Sequence, residues 1–393
     1  MVVFSSYPAD PRPRRAAEAL LKEGMNVDLI CQTDGSLPKR ERLGNLNLFR
    51  IPIAHHRGGK LSYAYQYSAF IASSAALLAW RSLRHRYDLI YIHNMPDVLV
   101  LSALLPKAYG AKVILDQHDP MPELMTTIFG LEENSLEVRI IRKLEKWSMA
   151  CADLVITVNV ACARLFAPRS CSPAKIGIVM NSPDGEIFCY RAACSYPPLQ
   201  VNSDKPFVIM YHGSIVERNG LDLALEALAH LRKSVPSAEL RIYGRSTPFL
   251  EHVLEKARCI GLQSCVRYLG PKRLEELVSE IETCDVGVVP NQRNQFTDIN
   301  TPTRIFEYLA LGKPVIAPRT PGIQDYFSPD ALLFFEAGNA LELAEKIEYV
   351  YRNPRRAIEM AERGQQIYLT HTWEKEKETF VKMVSDLLNG GQA

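Results

Sequence analysis

No G-x-G-x-x-G follows the first predicted strand, which disfavours a nicotinamide dehydrogenase. The nine cysteines include no C-x-x-C pair. Their scatter reads as reduced, mostly buried thiol in a cytosolic protein, and not as a disulfide framework or a zinc site. No apolar run reaches the length of a bilayer span, and no signal peptide precedes Val2-Val3-Phe4. That first strand starts so abruptly that the natural chain is expected to begin before Met1. The net charge is only +2, which points to no nucleic acid partner. What charge there is divides unevenly: residues 1–183 carry 22 Lys and Arg against 16 Asp and Glu, and the remainder carries 24 against 28. A basic first half suits an anionic membrane surface or a diphosphate-bearing acceptor; chance asymmetry is the equal alternative.

What is present is the composition of a soluble globular protein, 47% hydrophobic and 23% charged over 393 residues, enough for two or three domains with real cores. Strand-like apolar runs alternate with helical patterns almost throughout, the mark of α/β doubly wound domains. Val2–Ser5, Val27–Cys31, Leu48–Pro52, Leu89–His93, Lys112–Asp116, Leu154–Val158 and Ile176–Met180 read as strands of a first domain, with helices expected over Arg14–Glu23, Tyr63–His85, Pro96–Ala108 and Glu132–Ala150. The scheme repeats after Phe207. Residues 184–205, with Pro197 and Pro198, read as a linker. The expected division is therefore 1–183, linker 184–205, 206–370 and a last helix within 371–393. Two such sheets predict a cleft, with ligands at the carboxyl ends of the strands.

The most informative stretch is Thr301–Pro318, TPTRIFEYLALGKPVIAP. Thr301 is a suitable N-cap and Pro302 suits the first helical position. Ile305, Phe306, Leu309 and Ala310 form an apolar stripe, Gly312 ends the helix, and Val315-Ile316-Ala317 is a buried strand. Arg304 and Glu307 share the opposite face. An arginine in a first helical turn favours phosphate, and a carboxylate one turn on can accept hydrogen bonds from sugar hydroxyls. A surface ion pair would use the same two residues.

Other clusters sit where strands should end. Tyr211 to Gly220, YHGSIVERNG, puts two glycines around a short loop, fit either for a phosphate or for a plain tight turn. Tyr243-Gly244-Arg245 and Tyr268-Leu269-Gly270 end two further strands. Asp116-Gln117-His118-Asp119-Pro120-Met121-Pro122-Glu123 is the densest polar cluster of the first half, and Ile92-His93-Asn94 ends a neighbouring strand. Asp10-Pro11-Arg12-Pro13-Arg14-Arg15 opens the first helix with three arginines. Tyr63, Tyr67, Phe70, Leu77 and Trp80 lie near one face of a helix followed by Arg81, Arg84 and Arg86, a pattern suited to a membrane surface or to half-burial.

FEYLALGKPVIA resembles the nucleotide-binding signature of the retaining GT-B glycosyltransferases, most like family 4, the group 1 glycosyltransferases. The resemblance covers nearly the whole chain. It implies two Rossmann-like domains facing a central cleft, the first for the acceptor and the second for the nucleotide sugar, with a final helix at Thr372-Trp373-Glu374 returning to the first domain. It implies glycosyl transfer from a nucleotide-diphosphate sugar to a saccharide or lipid-linked saccharide, in cell-envelope or exopolysaccharide synthesis, with no metal and no other cofactor. Localisation is expected to be cytoplasmic, at the inner face of the plasma membrane, with peripheral membrane contact. The donor-binding residues it implies are Gly213, Ser214, Arg218, Gly244, Asp298, Arg304 and Glu307. The catalytic pair is His118 and Asp119, and the acceptor side takes Arg12, Arg14 and Glu123. The chain departs from the pattern in three places. Ile299 stands where the signature has its first glutamate, Ser214 where it has Arg, and Asn219 where it has Lys. Those departures keep open a non-catalytic partner subunit, a sugar-nucleotide sensor, or a GT-B-fold sugar-nucleotide epimerase.

Overall fold

Met1–Asn181 and Glu376–Ala393 form one compact unit and Ser182–Lys375 another, in a computed structural model that describes residues 1–33, 35–53, 59–195 and 205–390. Residues 196–204, which hold Pro197, Pro198 and part of the expected linker, lie outside the described residues.

The first unit is built on eight strands: β1 (Val2–Ser6), β2 (Val27–Gln32), β3 (Arg40–Leu43), β4 (Leu46–Ile51), β5 (Leu89–His93), β6 (Lys112–Gln117), β7 (Leu154–Thr157) and β8 (Ile176–Ile178). Their order is β3-β4-β2-β1-β5-β6-β7-β8, parallel except for the β3–β4 pair. The central strands are apolar on both faces because helices cover both; Val2, Leu29, Ile92, Val113, Leu115 and Val155 are fully buried. β3 escapes the sequence pattern because Arg-Glu-Arg-Leu offers no buried side chain. It is a charged edge strand, turned at Gly44 and paired only with β4.

Helices in this unit depart from expectation where glycine or polarity intervenes. The single helix expected over 132–150 starts at Leu136; before it Met121–Phe129 is a separate helix, closed by Gly130 at φ 59°. Asn159 caps a further helix, Val160–Arg169, whose weak periodicity hid it. The helix Lys60–Ser82 turns its aromatic face inward: Phe70 is fully buried, and Phe70 and Tyr67 each pack edge-on against Phe4 with ring centroids 5.1 Å apart. Its exposed aromatics are Tyr65 and Trp80. The last helix, Trp373–Leu388, buries Phe380 and Val384 in this unit. Phe380 stacks on Tyr91 at 5.5 Å, and the Glu376 carboxylate accepts the Met180 N–H at 2.7 Å.

The second unit has six parallel strands: β9 (Phe207–His212), β10 (Ala238–Tyr243), β11 (Val266–Tyr268), β12 (Val286–Val288), β13 (Val315–Pro318) and β14 (Leu333–Phe335), ordered β11-β10-β9-β12-β13-β14. All six residues of β9 are buried, and the core gathers there with the helices Leu221–Leu231 and Ala340–Arg352. The strand order reverses between β9 and β12 here, and between β1 and β5 in the first unit. Such switch points are where an open α/β sheet leaves a crevice beyond its strand ends. The helix after Thr301 runs from Thr303 to Ala310, with Pro302 as its N-cap. Thr301 does not cap it; its hydroxyl donates instead to the Gly322 carbonyl at 2.7 Å.

Candidate functional site

In the second unit the loops after β9, β10 and β12 meet the helix Thr303–Ala310. Gly213 follows β9 at φ 113°, and its N–H donates to the Tyr243 carbonyl at 3.0 Å. Gly213's own N–H is therefore spent inside the unit, so an anion would draw on donors beyond it, from the exposed Ser214 onward. Gly244 sits against the same turn: a Cβ there would lie 2.3 Å from the Gly213 carbonyl oxygen. Its N–H reaches the Gly270 carbonyl at 3.1 Å, and the Tyr268 hydroxyl donates to the Gly244 carbonyl at 2.9 Å. Three glycine-ended strands thus crowd together, which no spacing in the sequence reveals.

Arg304 reaches this crowd from the first helical turn. Its guanidinium donates to the His212 carbonyl at 2.9 Å and to the Asn291 side-chain oxygen at 2.8 Å, and lies 5.2 Å from the Tyr211 ring. Burial raises the Tyr211 phenol, and Arg304 and, more weakly, Arg218 pull it back, so both guanidinium groups act on one ring. Arg218 also lies over Phe296 at 5.8 Å. Glu307, one turn beyond Arg304, has a carboxylate oxygen 3.4 Å from His212 Nε2. Burial, then the Arg304 charge, push His212 down to about 3, so its ring is neutral at ordinary pH. Arg304, Glu307, Gly213, Ser214, Arg218 and Gly244 are thus brought into one neighbourhood. Asp298 pairs with Arg293 Nε at 3.4 Å, on the short helix Gln295–Asp298 whose Phe296 lies under Arg218. Gly220 serves packing, because a Cβ there would fall 1.8 Å from the Pro290 carbonyl oxygen. Sequence reasoning passed over His212 and Asn291. Their signal was position alone, each a polar residue at the carboxyl end of a buried strand.

In the first unit the ends of β5 and β6 make a second cluster. Asp116 is fully buried, and Arg12 clasps it: Nε donates to both carboxylate oxygens at 3.1 and 3.0 Å, and one terminal nitrogen donates to Oδ1 at 2.6 Å. The other terminal nitrogen reaches the Val179 carbonyl and Asn181 Oδ1, each at 2.9 Å. Tyr91 donates its hydroxyl to Asp116 Oδ2 at 2.5 Å. Burial alone would raise this carboxyl; Arg12 beside it holds it well below the usual range. His93 Nδ1 and His118 Nε2 lie 3.0 Å apart, at 3.4 and 3.5 Å from Asp116 Oδ2. Asn94 fixes the loop that carries His118: its Oδ1 accepts the His118 N–H at 2.8 Å, and its Nδ2 donates to the Asp119 carbonyl at 2.8 Å.

Two residues expected to face an acceptor turn inward instead. Arg12 spends its donors on Asp116 and its neighbours. Glu123 is buried in a bidentate pair with Arg169, at 2.6 and 3.0 Å, which also binds Glu145. The physical reason is the same for both: a buried charge is held only where it is paired. Arg14 is half-buried, 3.9 Å from Glu18. His93, Asp116 and His118 form the group, among the described residues, whose ligand atoms could converge on a cation. Arg12 already sits on that carboxylate, so a second positive charge would meet it directly.

Comparison with known proteins follows the same division. The family model described as "Glycosyl transferases group 1" matches residues 198–367, and that described as "Glycosyl transferase 4-like domain" matches residues 9–182. A D-inositol 3-phosphate glycosyltransferase of Corynebacterium urealyticum is 27% identical over 394 residues, covering 95% of this chain and 89% of that protein. A probable glycosyltransferase, WbjE, of Pseudomonas aeruginosa is 23% identical over 256 residues, spanning 62% of this chain and 60% of its own length. Among solved structures, sucrose-phosphate synthase of Thermosynechococcus elongatus aligns with a TM-score of 0.79 at 18% identity, covering 99% of this chain and 98% of that one. HepE of Anabaena in complex with UDP aligns at 0.69 and 16%, covering 98% and 99%.

Proposed function

The chain belongs to the group 1 glycosyltransferases of GT-B fold, and from that premise we propose that it moves a sugar, with retention at the anomeric carbon, from a nucleotide-diphosphate sugar to a saccharide or lipid-linked saccharide acceptor. Cell-envelope or exopolysaccharide synthesis is the setting we assign. The observation that carries the reading is the meeting of Arg304, Arg218 and Glu307 at the β9–β12 switch point of the second unit. Two guanidinium groups and a helix start suit a pyrophosphate, and a half-buried carboxylate next to a neutral histidine suits a ribose diol. Positive side chains then take the charge of the leaving diphosphate, so transfer is expected to proceed with chelator present. In the first unit, His118 is assigned to the sugar undergoing transfer and Asp119 to its support.

We place the protein at the inner face of the plasma membrane. Support comes from a second helix, Leu136–Cys151. Its exposed Leu136, Ile140, Leu144 and Trp147 follow one stripe, with Arg139, Lys143 and Lys146 alongside. Among the described residues no helix is long and apolar enough to cross a membrane.

A calorimetric screen against UDP, GDP, ADP and their sugars tests the donor half of the proposal, followed by turnover with and without EDTA and assignment of the product anomer. Absence of binding to every nucleotide would overturn it. Sedimentation with anionic vesicles tests the membrane half.

A further inference from the structure

His93 ends β5 with its ring fully buried. Its Nε2 is buried and has no hydrogen-bond partner. Its Nδ1 faces two groups, His118 Nε2 at 3.0 Å and the acceptor-only Asp116 carboxylate, whose Oδ2 lies at 3.4 Å. A neutral imidazole carries one N–H. With that proton on Nε2, an orphaned donor would be buried and a lone pair would be turned toward a carboxylate. With it on Nδ1, the proton has an acceptor on each side. Burial in this pocket keeps His93 neutral, against the opposing pull of Asp116. The other charged or titratable groups acting on it are Arg12, which is tied to Asp116, Tyr91, whose hydroxyl is also spent on Asp116, and the Met1 ammonium at the start of the neighbouring β1.

The consequence passes to His118. Its Nε2 lies 3.0 Å from the His93 Nδ1 that already supplies a proton, and 3.5 Å from Asp116 Oδ2, so Nε2 presents the lone pair that accepts from His93. The His118 proton then belongs on Nδ1, the nitrogen with no hydrogen-bond partner among the described residues. Asn94 anchors the loop that carries the ring, by accepting the His118 backbone N–H. We propose that His93 is a positioning residue that sets the tautomer of His118, so that His118 always offers an Nδ1–H donor and never an Nδ1 lone pair. On the reading that His118 serves the sugar undergoing transfer, this makes it a hydrogen-bond donor to a substrate oxygen and not a base.

The test is long-range ¹H–¹⁵N NMR of the intact chain with ¹⁵N-labelled histidine, on wild type, His93→Asn and His93→Leu, alongside kcat and KM for the donor. Asparagine keeps an N–H near the position of Nδ1, whereas leucine removes it. Expected are Nδ1-protonated patterns for His93 and His118 in wild type, and an unchanged His118 pattern and near-normal kcat in His93→Asn. In His93→Leu the His118 proton should move to Nε2, toward Asp116, with kcat falling ~10²-fold and KM little changed. An Nε2-protonated His118 in wild type overturns the proposal, and so does a His118 pattern indifferent to leucine. The tautomer is read without substrate. A confirmed tautomer switch with undiminished turnover would instead sink the assignment of His118 to transfer.

Discussion

His212 Nε2 lies 3.4 Å from a carboxylate oxygen of Glu307, which ties the last residue of β9 to the helix Thr303–Ala310. Because the histidine is neutral, it sits beside the carboxylate without cancelling its charge. Glu307→Ala is expected to weaken nucleotide-diphosphate binding about 10- to 100-fold, a loss of ~1.4–2.8 kcal/mol. Titration calorimetry measures this, with an unchanged melting temperature showing that the fold survives. Wild-type affinity would remove Glu307 from the nucleotide site.

His212 also sets an acid limit on the second unit. Its folded value of about 3 lies below the ordinary 6.5, so the unfolded chain takes up the proton first as pH falls. The stability it contributes is complete above ~6.5 and is lost progressively toward pH 3, in total on the order of 4 kcal/mol. Hydrogen exchange in β9 and its neighbours between pH 7 and 4 should follow that slope. His212→Phe should flatten it.

Asp97 works in the opposite direction in the first unit. Burial first, then Glu145, raise its carboxyl to about 7, and its Oδ2 is buried with no hydrogen-bond partner. A raised folded value means stability that is full below ~4 and is lost as pH climbs through about 7. Asp97→Asn removes that titration. The variant should gain stability over wild type as pH rises from 6 to 8, by ~1 kcal/mol or more, read from melts across that range.

Gly220 tolerates no side chain. It holds φ at 67°, and a Cβ would meet the Pro290 carbonyl oxygen at 1.8 Å. Gly220→Ala should cost on the order of 3 kcal/mol or more, from left-handed strain and from the displaced strand end together. Gly261→Ala is the control: φ is 74° there, but nothing lies within 4 Å of an added Cβ. A smaller loss at Gly220 than at Gly261 would refute the packing argument.

Arg12→Ala discriminates a structural from an acceptor-binding role. Removing the guanidinium leaves Asp116 buried with no cation against it, which should cost ~3–5 kcal/mol in the first unit. A variant of wild-type stability that has lost only acceptor affinity would return Arg12 to the binding surface.

The alternation of apolar strands and helices was legible because it follows from burial period and turn chemistry. The apolar stripe from Ile305 to Ala310 and the stop at Gly312 were legible for the same reason. Thr301 was misread because a hydroxyl before Pro302 looks like a cap, and only tertiary structure reveals the Gly322 carbonyl that claims it. Arg12 and Glu123 were read as acceptor-binding residues. Their partners, Asp116 and Arg169, stand 104 and 46 residues away, beyond the reach of any local pattern. The His93–His118 pair is hidden in the same way, two ordinary strand-end histidines until β5 and β6 bring them together.

The placement of Phe380 and Glu376 has a consequence for biosynthesis. Tyr91 waits for Phe380 to cover its ring, and the Met180 amide waits for Glu376 to accept its proton. On the ribosome, the first unit cannot seal its own interior until the segment from Glu376 to Leu388 has been read. A truncation upstream of Glu376 would damage a portion of the polypeptide synthesised well before it.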